Sequence, residues 1–148
     1  MPAATRVDFY ILANSAPASR LQFACRLTEK AYGLNNRVYA HASSQAEAEQ
    51  LDKLLWTFKQ GSFIPHKALG QGNEDDNART PVRIGTLECC ENEGELLINL
   101  AESAPEFATN FARVVEIVDG QDASRQAGRK RFMQYREMGL EPVTHQID

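Results

Sequence analysis

Apolar positions along this chain follow two rhythms, and the switches between them mark out its elements. Val7-Asp-Phe-Tyr-Ile-Leu12 is a β-branched and aromatic run, the pattern of a strand covered on both faces. From Pro17 to Tyr32 the spacing becomes helical. Leu21, Ala24, Cys25, Thr28, Ala31 and Tyr32 fall on one stripe, and Gly33 offers a C-cap. Arg37-Val-Tyr-Ala-His41 predicts a second strand. Ser44-Gln-Ala-Glu47 is a capping box, in which the serine accepts from a backbone N–H and the glutamate reaches back. The helix it opens runs to about Phe58, with Leu51, Leu54, Leu55 and Phe58 as its apolar stripe. Strand, helix, strand, helix with short links predicts right-handed parallel crossovers, with helices on the faces of the sheet.

Beyond Gly61 the rhythm breaks. Gly70-Gln-Gly-Asn-Glu-Asp-Asp-Asn77 is glycine-rich and acidic, which predicts a mobile excursion. Pro81–Gly85 and Glu95–Leu100 predict two more strands, and Phe107, Ala108 and Phe111 share a face of a short helix after Pro105. Arg113–Val118 predicts a late strand, closed by the turn chemistry of Asp119-Gly120. A terminal helix from Gln121 to about Met138 stops at Gly139. No internal repeat or interdomain linker interrupts this order. The expectation is one α/β domain over residues 1–148, a three-layer Rossmann-like arrangement with a mostly parallel sheet.

An α/β sheet raises the question of a nucleotide. Gly70 and Gly72 form a Gly-x-Gly, but no convincing strand precedes them and an acidic run follows, which would repel phosphates. No Gly-Lys-Ser or Gly-Lys-Thr occurs, so a P-loop is excluded. His41, His66 and His145 share no metal-ligand spacing, and the adjacent Cys89 and Cys90 have no neighbouring base. Asp75 and Asp76 read as solvated loop charge. These patterns predict no catalytic constellation, no cofactor and no metal. A small nucleotide-dependent enzyme using the α/β crevice is the alternative.

Composition narrows the classes further. At 148 residues with 43% hydrophobic content, the chain can bury a core without staples. A net charge of −4 argues against a whole-protein nucleic-acid binder. No apolar run approaches the roughly 20 residues that cross a bilayer, and no basic-then-apolar leader opens the chain. A cytoplasmic protein with three reduced cysteines is the expectation.

Two stretches stand apart from this ordinary background. Three of the twelve Phe, Trp and Tyr residues, Trp56, Phe58 and Phe63, fall within eight positions, with Pro65 just beyond. Phe63, Ile64 and Pro65 lie past the helical stripe, so they either plug back onto the domain or meet a partner. The terminal helix is the second. It carries five basic residues against two acidic ones in a chain that is negative overall. Arg125, Arg129, Phe132 and Arg136 share one face of it. Arginines beside an aromatic suit a carboxylate on an apolar side chain, because the guanidinium takes two hydrogen bonds and the ring receives the apolar group. A solvated basic face and a nucleic-acid phosphate contact are the competing readings.

At this point the sequence resembles the chi-subunit family of the bacterial DNA polymerase III holoenzyme, over almost its whole length. The resemblance is carried by Asp8-Phe-Tyr-Ile-Leu12, Leu51-Asp-Lys-Leu-Leu-Trp56, Ser62-Phe-Ile-Pro-His66 and Gly70-x-Gly72. Phe107-Ala-x-x-Phe111, Val114-Val115 and Arg129-x-x-Phe132-x-x-Tyr135-Arg136-x-x-Gly139 continue it. It implies a nucleotide-binding-like fold without a nucleotide site, and a clamp-loader accessory role without catalysis. It also implies binding of the acidic, phenylalanine-ending C-terminal tail of single-stranded-DNA-binding protein at Val118, Arg125, Arg129 and Phe132. Pairing with the psi subunit, or with a helicase competing for that surface, is implied at Trp56, Phe63 and Pro65. Phe132 stands where a tyrosine is usual, and Met133 where a lysine can occur.

Overall fold

The computed structural model describes residues 5–13, 16, 19–57, 66–68, 82–86 and 94–147, the short segment 66–68 by its backbone alone. Its strands are β1 (Arg6–Leu12), β2 (Val38–His41), β3 (His66–Ala68), β4 (Val82–Gly85), β5 (Gly94–Asn99), β6 (Phe111–Val118) and β7 (Val143–Ile147). Helices α1 (Ser19–Gly33), α2 (Gln45–Thr57) and α3 (Asp122–Glu137) join them, with a 3-10 turn over Glu106–Asn110. The strands form one sheet in the order β3-β4-β2-β5-β6-β1-β7, and every pairing is parallel.

Parallel strands need crossovers, and here the crossovers cover both faces. Successive residues of a strand point to opposite faces, so β6 divides its side chains between two cores. Val115 and Ile117 pack with Ala24 and Cys25 of α1 and with Ala48, Leu51 and Leu55 of α2. Val114 and Val118 face the other way, toward Phe9, Phe107, Phe111 and Tyr135. The architecture is therefore the three-layer α/β arrangement that the periodicity predicts. The helical stripes also hold: Ala24, Cys25, Thr28 and Ala31 are buried on α1, and Leu51 and Leu55 on α2. Phe58 lies outside the described residues.

At the start of α2 the serine of the capping box accepts as expected, from the Glu47 N–H to Ser44 Oγ at 3.1 Å. Glu47 reaches one residue further back than the motif implies, to the N–H and hydroxyl of Ser43 at 2.9 and 3.0 Å. Two strands escape the sequence pattern. β3 is only three residues long, and β7 is an edge strand whose largely exposed residues show no apolar alternation.

Candidate functional site

The end of β6 and the helix after it build one side of a surface groove. Asp119 makes the corner: its carboxylate accepts from the Gln121 N–H at 2.9 Å, and its own N–H donates to Ser124 Oγ at 3.1 Å. Three inward residues then fix how α3 lies on the sheet. Gly128 sits against Val118, so close that a Cβ there would lie 2.7 Å from Val118 Cγ2. Arg131 turns inward rather than joining the solvated basic face. Its Nε donates to Glu116 Oε1 at 2.7 Å, where the glutamate is fully buried. Tyr135 donates its hydroxyl to Glu116 Oε2 at 2.5 Å, and Asn99 Nδ2 donates to the same oxygen at 2.7 Å. Burial pushes the Glu116 carboxyl upward, while the Arg131 charge and these three donors oppose the rise. The Tyr135 hydroxyl is also pushed up, by burial and then by the Glu116 charge, so it stays protonated and donates.

With those three residues turned in, the neighbouring positions of α3 look sideways along the sheet. A groove of about 370 Å³ opens there, between α3 and β7. Phe9 and Ile11 of β1 and Val118 of β6 line it from the sheet, Arg125, Gly128, Arg129, Phe132 and Met133 from α3, and Thr144 and Gln146 from β7. Phe132 lies with its ring centroid 5.4 Å from that of Phe9, giving the groove an aromatic base. Arg125, Arg129 and Met133 are exposed on its helical side. The groove thus combines an apolar floor with two cationic groups, and can take an apolar side chain that carries an anion.

Val118, Arg125, Arg129 and Phe132, singled out from the sequence, all line this one groove. Arg136 shares their helix face in projection but does not line it. Sequence reasoning missed Phe9, Ile11, Gly128, Thr144 and Gln146 as members. Phe9 and Ile11 read only as core strand residues, and nothing local says which helix a strand residue will meet. The other predicted surface is only partly described. Trp56 lies in the last turn of α2 with 52% of its surface exposed. Phe63 and Pro65 lie outside the described residues.

The wall made by β7 is braced from the opposite face of the sheet. His145, between Thr144 and Gln146, points away from the groove and donates Nε2–H to Asp8 Oδ1 at 2.8 Å. Its ring stacks on Tyr10 with centroids 5.1 Å apart. Asp8 is fully buried; it also accepts from Arg113 Nε at 2.9 Å and forms an ion pair with Arg6, whose Nε lies 3.0 Å from Oδ2. Burial alone would raise its pKa, but the His145 and Arg113 hydrogen bonds and the Arg113 and Arg6 charges hold it below the usual carboxylate range.

A second cavity, of about 470 Å³, lies at the carboxyl ends of the strands, where α/β sheets commonly hold ligands. Arg20 lines it together with Glu47, Asp119 and Arg131. Arg20 is spent on the fold: Nε donates to the Ile117 carbonyl at 3.0 Å and Nη2 to that of Leu100 at 3.4 Å. Cys25 is a buried thiol that burial pushes up to about 12, unsuited to nucleophilic work. Among the described residues no cluster of His, Cys, Asp or Glu could hold a metal ion. None of the described helices is long and apolar enough to cross a membrane.

Comparison with known proteins gives a consistent result. Residues 4–143 match the family model described as DNA polymerase III chi subunit, HolC. DNA polymerase III subunit chi of Pseudomonas aeruginosa is 43% identical over 143 residues, covering 97% of each chain. The protein of the same name from Escherichia coli is 30% identical over 137 residues, covering 89% of this chain and 91% of that one. Among solved structures, T4 UvsW aligns over 97% of this chain and 41% of its own, with a TM-score of 0.69 at 8% identity. The C-terminal domain of S. cerevisiae Dbp5, bound to Gle1 and IP6, aligns over 96% and 90% with a TM-score of 0.60 at 13% identity. At such identities these two likenesses speak of the fold alone.

Proposed function

We propose, on the premise that this chain belongs to the DNA polymerase III chi subunit family, that it is a non-enzymatic adaptor for the C-terminal tail of single-stranded-DNA-binding protein. Membership of the family makes it an accessory subunit in DNA replication. The observation that carries the finer reading is the groove between α3 and β7. Its floor of Phe9, Val118 and Phe132 suits a terminal phenylalanine, and Arg125 and Arg129 suit the carboxylate attached to it together with the acidic residues before it. Many such tails are displayed on coated single-stranded DNA. Each contact would raise the local concentration of the polymerase machinery at its template without any new catalytic step.

The second face of the adaptor is the Trp56, Phe63 and Pro65 surface, which we assign to the psi subunit, or to a helicase competing for the same residues. An aromatic half-exposed at the end of a helix is the kind of anchor that dominates interfaces. The proposed setting is the cytoplasm.

Fluorescence anisotropy with a labelled acidic peptide ending in phenylalanine tests the tail reading, beside calorimetric titration with nucleotides. Saturable peptide binding with no nucleotide heat is expected. Nucleotide binding without peptide binding would instead favour a nucleotide-dependent enzyme using the crevice at the strand ends.

A further inference from the structure

Resting on that reading of the groove, we infer that β7 is its second jaw, and that Thr144 and Gln146 accept hydrogen bonds from the main chain of the bound peptide. A terminal residue seated over Phe9 and Val118 carries its own backbone N–H into the groove with it. A buried N–H needs an acceptor, and leaving it without one costs more than the bond itself contributes. The arginines cannot help, since a guanidinium has five donors and no acceptor. The carbonyls in the middle of α3 are engaged in the helix itself. Of the side chains lining the groove, only those of Thr144 and Gln146 carry an oxygen. Both stand on β7, facing Arg125 and Arg129 across the gap. The two walls therefore divide the work: α3 reads the carboxylate, and β7 reads the amide.

The strand is built for that task. Thr144 and Gln146 face the groove because His145 between them faces the other way, held to the buried Asp8 at 2.8 Å and stacked on Tyr10. An edge strand with one neighbour is otherwise free to fray. The Asp8 contact gives it a fixed position from the far side of the sheet.

A two-way comparison tests the assignment. Thr144→Val with Gln146→Met keeps the wall's shape and its strand propensity but removes both oxygens. The first ligand is the acidic peptide ending in phenylalanine. The second is the same peptide methylated at the backbone nitrogen of that phenylalanine, which deletes the N–H. The double variant should bind the unmodified peptide roughly tenfold more weakly than the wild type. Methylation should weaken wild-type binding by a similar factor, yet add little in the variant. Circular dichroism before and after melting confirms that both proteins are folded. Equal affinity of the two proteins for the unmodified peptide overturns the inference, as does a methylation penalty of the same size in both. Failure of the wild type to bind the peptide at all overturns the tail reading, and this inference with it.

Discussion

The inward and sideways faces of α3 use the same residue type to opposite ends. Arg131 is buried with its charge committed to Glu116, whereas Arg129, two positions earlier, is exposed beside an apolar groove. Two positions turn a helix by about 200°, so a basic helix cannot present all its charge to one partner. The inward arginine is committed to the core; the outward one lines the groove. An ion pair so fully buried is weak evidence of net stabilisation, because desolvation offsets most of the attraction. We read the Arg131–Glu116 pair instead as a register device that keeps Arg125, Arg129 and Phe132 over the groove.

The largest effect should come from breaking the inward side. Arg131→Ala leaves the Glu116 carboxylate buried without its counter-charge, and should cost about 3–5 kcal/mol of stability in urea unfolding. Replacing both partners, Glu116→Leu with Arg131→Met, should recover most of that loss. If the register interpretation is right, the recovered protein will still bind the acidic peptide more weakly than the wild type.

On the outward side the pattern should reverse. Arg129→Ala should leave urea unfolding within about 0.5 kcal/mol of wild type. The same change should weaken peptide binding by roughly 1.5–3 kcal/mol in anisotropy titrations. An unchanged affinity would remove Arg129 from the site. Raising salt should weaken the wild-type complex without abolishing it, because filling the apolar floor is not screened.

Gly128 joins the two faces, so its substitution should touch both measurements. Alanine there gains about 1 kcal/mol in helix propensity but forces a methyl into the space of Val118 Cγ2. Overpacking should prevail, with a net loss of about 1 kcal/mol in stability. Val118 lines the groove, so peptide affinity should fall as well. A variant that melts higher and binds normally would show that α3 can ride up without disturbing the site.

The smallest effect concerns pH and the wall opposite α3. The Asp8 carboxyl has a lower pKa in the folded protein than in the unfolded chain, so its contribution is complete above the ordinary carboxylate range near 4 and is lost as pH falls through the folded value. The stability advantage of wild type over Asp8→Asn should therefore shrink as pH falls below about 4. A difference that stays constant through the acid range would mean that Asp8 is not the proton acceptor.

The α-helical side of this comparison was legible in the sequence, and the β-strand side was not. Arg125, Arg129 and Phe132 advertise themselves at helical spacing, whereas Val118 reads only as the end of an obvious strand and enters the site through the family resemblance alone. Phe9 and Ile11 carry the signal of any buried strand, and their meeting with α3 is set by strand order, which is a long-range property. Thr144 and Gln146 lie in a short exposed strand where hydrophobic alternation, the usual signal, has no reason to exist. Arg131 misleads for a related reason: a basic residue among basic residues reads as solvated until Glu116 is found beneath it.

The position of β1 also governs when the protein can fold during synthesis. The first strand of the chain lies between β6 and β7, and its register pairs Arg6 with Arg113 and Leu12 with Ile147. Such contacts between distant parts of the chain make folding slow, because a large loop must close before any of them forms. On the ribosome, β1 emerges before β6 and must wait for it, more than a hundred residues later, before either of its edges is satisfied. During that interval an aromatic and β-branched strand is open to wrong partners. A nascent chain arrested before β7 would still expose one edge of β1, and it would lack the wall that carries Thr144 and Gln146.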